Sequence, residues 1–250
     1  SVSRFTLDDI EFRVSVVSEG EENLIPAFVE NVRRITDAAL RMFGPLDLEQ
    51  YTYFCHFLPD SPNSAGMEHL DSCQLTRQHS LSNQGDMMDL TLWVTAHEFV
   101  HAWNVKRLRP QHLGPFDYTE EVYTPSIWFA EGFTNYLGDL VMLRSGLWDR
   151  EEFLDWIARE ITRFRSYPGI DARSPEMASF DFWLAPVSQY RESDFYSHWV
   201  SPYISGELIG LTLDLLLRDK TTNQNTFETF FNDMYDEFYW NAEAETYYLK

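Results

Sequence analysis

Between about Asp86 and Arg107, apolar residues and two histidines recur at helical spacing. Leu90, Val94, His97 and His101 share one stripe, and Pro110 stands just beyond its end. A helix of this kind needs a fold that buries its inner face and takes both imidazoles with it. Residues four apart lie about 40° apart around a helix axis, so the two rings can converge on one ion. Glu98 cannot share their direction, but it stands where a carboxylate can meet a water at the same ion and act as a general base. The alternative is an amphipathic helix whose histidines are satisfied by backbone carbonyls, and the five-residue pattern alone leaves it open.

The flanking sequence predicts mixed architecture. Ile10, Phe12, Val14 and Val16 alternate with polar residues, as in a half-buried strand. A helix follows on Ile25, Phe28, Val32, Ile35, Ala39 and Met42, with Asn23 as its expected cap and Gly44-Pro45 as its stop. Tyr51 to Leu58 reads as a second strand, and a loop from Pro59 to Ser64 leads to Gly66-Met67-Glu68-His69. After the histidine helix the strands give way to helices: Ile127 to Ser145, one started by Asp149 and Glu152 and running through Phe164, Tyr203 to Arg218, and Thr226 to Tyr239. Irregular, aromatic-rich sequence fills residues 167–199. This order predicts an α+β lobe over residues 1–110, ending in the histidine helix, and a mainly helical lobe over 111–250, together one catalytic domain.

Composition sets outer bounds. With 250 residues, 44% of them apolar, the chain can bury a sizeable core. Nineteen Lys and Arg against 40 Asp and Glu leave a net charge of −21, which repels phosphate backbones and argues against a nucleic-acid partner. The longest apolar run, Leu208 to Leu217, carries Asp214 in its middle, so no membrane span is expected and the chain reads as soluble. Cys55 and Cys73 are too few for a disulfide framework and lack thiolate-metal spacing. Ser1 opens the chain without signal-peptide features, as an excised or processed piece would, and the compartment stays open.

A catalytic zinc normally takes three protein ligands and keeps a fourth position for water or substrate. Glu131 is the candidate third ligand. It lies in Trp128-Phe129-Ala130-Glu131-Gly132-Phe133-Thr134-Asn135-Tyr136, among aromatic and small residues where a lone carboxylate would be unfavourable to bury. A carboxylate interacting with a helix N-terminus is the competing account. Asn135, one turn on, is a candidate to orient a ligand imidazole from behind.

The run from His97-Glu98-Phe99-Val100-His101 through Ala102-Trp103-Asn104-Val105-Lys106-Arg107-Leu108-Arg109-Pro110, together with Trp128 to Tyr136, resembles the glycyl aminopeptidase family of gluzincin metallopeptidases, from about residue 8 to residue 240. The resemblance implies a thermolysin-like two-lobed fold and one zinc held by His97, His101 and Glu131, with Glu98 activating water. Gly66-Met67-Glu68 is similar to the family's short Gly-x-Met-Glu strand, which implies that Glu68 binds the substrate's free amino terminus, with Gly66 and Met67 beside it as substrate-binding residues; Ala65 stands where glycine is commoner. Pro202-Tyr203-Ile204-Ser205-Gly206 is similar to the segment that supplies an oxyanion-stabilising tyrosine, which implies Tyr203, with His198 as rival donor and Ser205 where lysine is commoner. Relatives usually carry an N-terminal β domain and a C-terminal PDZ domain; neither is found here, and the chain reads as the catalytic portion alone.

The implied activity is removal of single N-terminal residues, small ones such as Gly or Ala preferred, from peptides with a free amino terminus. Two other readings stay open: an endopeptidase of thermolysin type, and a catalytically silent peptide-binding or scaffold module.

Overall fold

The computed structural model describes residues 1–83, 85–114, 117, 119–182, 199–240 and 248–249. It divides into two units, residues 1–106 with 138–149, and residues 107–137 with 150–250.

The alternation from Ile10 onward does form a strand, β2 (Ile10–Val17), whose Ile10, Phe12, Val14 and Val16 are buried. It is preceded by β1 (Val2–Leu7), which the sequence reading did not anticipate. The two make a hairpin with Leu7 opposite Ile10, and Asp8 and Asp9 turn it at φ 47° and 64°. Aspartate tolerates this left-handed region better than most side chains, and a two-residue turn of that hand matches strand twist. Helix α1 (Ile25–Phe43) then carries the chain to β3 (Gln50–Phe57), parallel to β2. Asn23 is not its cap: Glu22–Leu24 forms a 3₁₀ turn that runs straight into the helix, with Leu24 at the cap position and Pro near the start. Proline suits the first turn because the N–H it lacks has no intrahelical partner there.

Strands β4 (Ala65–Glu68) and β5 (Ser72–Arg77) complete a five-stranded sheet in the order β1-β2-β3-β5-β4, with β5 parallel to β3 and β4 antiparallel on the edge. Helix α2 (Asp86–Val100) lies against α1, β4 and β5. Phe99 anchors it: its ring centre is 5.0 Å from Tyr51, 5.9 Å from Phe12 and 5.2 Å from Trp103, all fully buried. Such aromatic contacts fix direction as well as bury area, so Phe99 sets the rotation of α2 and with it the direction of its neighbours. Cys55 and Cys73 lie on adjacent strands as free, buried thiols; burial pushes Cys55 up to about 12.

Two expectations about α2 fail. Leu90 is 40% exposed, so the stripe is not internal along its whole length. The helix also ends at Val100 rather than Arg107. Ala102 and Trp103 donate to the carbonyls of Phe99 and Val100, three residues back, and the tightened turn leaves the helical path.

In the second unit, Trp128–Gly132 forms a wide π-type turn that continues directly into α3 (Phe133–Ser145), whose later part, from Gly138, belongs to the first unit. Then come α4 (Arg150–Arg165), the unanticipated α5 (Pro175–Phe180), α6 (Pro202–Thr221) and α7 (Phe227–Tyr235). No described helix is long and apolar enough to cross a membrane. Asp214 explains its own presence in an apolar run: buried in α6, it accepts hydrogen bonds from Tyr136 Oη (2.8 Å) and the Phe227 N–H (2.7 Å) and pairs with Arg218 (3.0 Å). A buried carboxylate is tolerable only when so compensated.

Candidate metal centre

The last turn of α2 is buried on every side and holds His97 and Glu98, with His101 capping it. His97 Nε2 and His101 Nε2 stand 3.0 Å apart, and the two rings are nearly perpendicular, at 88°. His101 Nδ1 faces the Asn104 carbonyl at 2.7 Å. A carbonyl only accepts, so Nδ1 carries the hydrogen, and in the neutral ring Nε2 presents its lone pair. Ligating imidazoles are commonly oriented by such a bond from the other nitrogen. Two nitrogens bound at about 2.0–2.1 Å in a tetrahedron lie about 3.3–3.4 Å apart. The observed separation is close to that, and the pair therefore fits a zinc ion.

Behind His97, Trp93 lies with its ring centre 5.7 Å away and donates from Nε1 to buried Asp139 at 2.7 Å. α3 passes His97 at Gly138, where a Cβ would meet the His97 backbone nitrogen at an ordinary contact distance of 3.5 Å.

Glu98 is held by shape. A Cβ on Gly66 would fall 2.0 Å from Glu98 Oε1, so the carboxylate occupies the space that only a glycine on β4 leaves. One ligand atom each of Glu68, Glu98 and His101 lies within 4.8 Å of the other two. Buried Arg77 acts on the same group from a distance: desolvation lowers its guanidinium from the ordinary value, and the negative charge of Glu98 opposes this. Arg77 is fixed by Thr91 Oγ1, which also bonds His79 Nε2, so His79 serves the packing beneath α2. The alternation of β4 puts Gly66 and Glu68 on one face and Met67 on the other, where it is 55% exposed. Glu68 does not stand alone, for Lys106 Nζ is 3.0 Å from its Oε1.

In the second unit, Glu131 sits half-buried in the Trp128–Gly132 turn. That turn packs on α6 through two glycines: a Cβ on Gly132 would come within 2.3 Å of Gly206 Cα, and one on Gly206 within 1.9 Å of the Trp128 carbonyl oxygen. Tyr203, half-buried in the first turn of α6, has its own carbonyl against Gly132, so the Glu131 turn and the Tyr203 turn are locked together. Asn135 Nδ2 donates to Glu207 Oε2 at 2.9 Å, and both residues are buried. Glu207 escaped sequence reading because nothing local distinguishes it from a solvated helix acid. His198 lies outside the described residues.

Residues 90–209 match the M61 glycyl aminopeptidases. Among solved structures, the chain superimposes on an aminopeptidase N family protein from Idiomarina loihiensis with a TM-score of 0.83 at 25% identity, covering 96% of this chain and 41% of that one. Yeast LTA4 hydrolase in complex with bestatin aligns at TM-score 0.61 and 14% identity, over 95% of this chain and 33% of that one. The native enzyme from Saccharomyces cerevisiae gives 0.58 and 15%, with the same coverage. These last two likenesses concern the fold alone. The chain thus has the α+β fold of zinc aminopeptidases and spans less than half the length of the structures it resembles. No curated protein matches it.

Proposed function

We propose, from the match of residues 90–209 to the M61 glycyl aminopeptidases, that this chain is a zinc aminopeptidase removing single small N-terminal residues such as glycine or alanine. The observation that carries the proposal is the convergence of His97 Nε2 and His101 Nε2 at 3.0 Å beside a Glu98 carboxylate seated in a glycine notch.

We assign His97, His101 and Glu131 as the protein ligands of that zinc, two imidazoles and a carboxylate being a donor set that a catalytic zinc takes. The helix that begins just after Glu131 supports its membership, because it runs on past the His97 backbone at Gly138. When bound, zinc supplies Lewis acidity, polarising a carbonyl and lowering the pKa of water. The protein's own groups do the rest. Glu98 takes a proton from the attacking water and hands it to the leaving amine. Tyr203 donates a hydrogen bond to the carbonyl oxygen as it gains charge. Glu68 receives the substrate's ammonium group, which selects chain ends over internal bonds. Asn135, whose amide donates to buried Glu207, is assigned the orienting of a ligand imidazole.

Metal analysis paired with hydrolysis of free and N-acetylated glycyl and alanyl anilides tests the reading. One zinc per chain and cleavage of the free substrates alone are expected; equal cleavage of acetylated substrates identifies an endopeptidase, and no turnover of either a binding module. Glu131→Ala should weaken zinc at least about 100-fold in a chelator competition, and unchanged affinity removes Glu131 from the ligand set.

Gly66→Ala isolates the notch. The group a new methyl would strike is the tip of a flexible side chain, so the fold should hold, with a melting temperature within about 4 °C of the parent. The displaced Glu98 should lose about 100-fold in kcat. A fully active alanine variant would show that the notch does not set the base.

A further inference from the structure

Glu68 and Lys106 come from distant parts of the chain and form a largely buried ion pair at 3.0 Å, with 12% of the lysine side chain and 21% of the glutamate side chain exposed. Lys106 stands in the turn that follows α2, where its N–H donates to the His101 carbonyl at 3.0 Å. Glu68 is the last residue of β4, paired in register with Cys73 of β5. The strand ladder fixes the Glu68 backbone, and the lysine meets the carboxylate at the end of the side chain. What Lys106 adds is an ammonium group on the same carboxylate that is to receive the substrate's ammonium.

We propose that Lys106 is a specificity-determining residue, an internal ammonium that a substrate's amino terminus must displace from Glu68 or share the carboxylate with. This deepens the reading of Glu68 above and rests on it. A carboxylate has room for more than one donor, but two cations on it repel each other, more strongly where water is scarce. The substrate therefore gains the difference between two similar ion pairs rather than the full strength of one. Both products of an aminopeptidase, the freed amino acid and the shortened peptide, also carry amino termini. A site that held an ammonium group at full strength would retain them. Lys106 keeps that affinity low, so binding energy is not spent equally on substrate, transition state and product. It also leaves the Glu68 and Glu98 carboxylates, which share one small space with His101, with a counter-charge between turnovers.

The test uses the zinc-loaded protein, glycyl and alanyl anilides as substrates, and glycinamide against N-acetylglycinamide as inhibitors. Lys106→Met should lower KM for free-amino substrates and the inhibition constant of glycinamide by about tenfold, with the change in KM rather than in kcat, and leave N-acetylglycinamide unaltered. Lys106→Arg, which keeps the cation, should behave as the parent. On a Glu68→Gln background the methionine exchange should do nothing. Should Lys106→Met fold poorly by circular dichroism, Lys106→Gln serves instead. A KM that rises or stays fixed in the uncharged variant overturns the proposal. If Glu68→Gln raises KM for free substrates while neutralising Lys106 does not lower it, only the lysine's role falls. If Glu68→Gln leaves free-substrate KM unchanged, the amino-terminus reading of Glu68 falls, and this one with it.

Discussion

Glu98→Gln should lower kcat by about 10³-fold while the protein keeps its zinc and its melting temperature. Glutamine has nearly the same shape as glutamate and fits the notch that Gly66 leaves, so packing beneath β4 is undisturbed. What it lacks is an oxygen that can take up a proton from water and release it to the departing amine. The exchange therefore separates chemistry from architecture. Steady-state rates, zinc content and thermal unfolding of one preparation check it. Loss of less than tenfold would mean that another group serves as base. Loss of zinc along with activity would mean that Glu98 acts chiefly by shaping the metal site. Binding would persist in the silent-module reading, with no rate to lose.

The parts of this site that sequence makes readable are those whose geometry is local. His97 and His101 are four apart on a helix, and that spacing alone predicts their convergence; the 3.0 Å separation follows from it. The strand at Ile10 announces itself by period two and the helix at Ile25 by period 3.6, each recording one buried face. Where burial is weaker or local geometry irregular, the pattern fades. β1 has no fully buried residue, so nothing in its alternation stands out, and its turn rests on two aspartates rather than a glycine. Periodicity overextends the helix through His101, because Ala102 to Arg107 is compatible with a helix and the tightened turn on the carbonyls of Phe99 and Val100 leaves no mark in the sequence.

Relations across the chain were out of reach for a different reason. Gly66 and Glu98 are in contact because β4 crosses the end of α2, and a glycine's lack of a side chain carries no address for what fills the gap. Lys106 meeting Glu68 and Asn135 meeting Glu207 are likewise facts of tertiary placement. A family resemblance can supply roles for such residues, but it gave Gly66 and Met67 the same role. The pleat separates them, sending one toward Glu98 and the other into solvent.

Gly206→Ala should destabilise the protein by about 3 kcal/mol or more, at the upper end of what overpacking does. The reason lies in what the new methyl would meet. At Gly66 the obstacle is the end of a side chain that can swing aside; at Gly206 it is the Trp128 carbonyl oxygen at 1.9 Å and Gly132 Cα at 2.8 Å, both main chain. Relief requires moving α6 away from the Trp128–Gly132 turn, and that separates the segment carrying Tyr203 from the segment carrying Glu131. Gly210, one turn on, gives the comparison: its Cβ would touch Cδ1, Cβ and Cγ of the Tyr136 side chain at 3.1 to 3.3 Å, a contact that a shift of a few tenths of an ångström relieves. Urea unfolding should therefore show a large drop in midpoint for Gly206→Ala and a modest one for Gly210→Ala. Zinc affinity should fall in the first variant and hold in the second, because only the first disturbs the turn on which Glu131 rides. Equal stabilities for the two would mean that the close approach of the two backbones does not hold this turn in place.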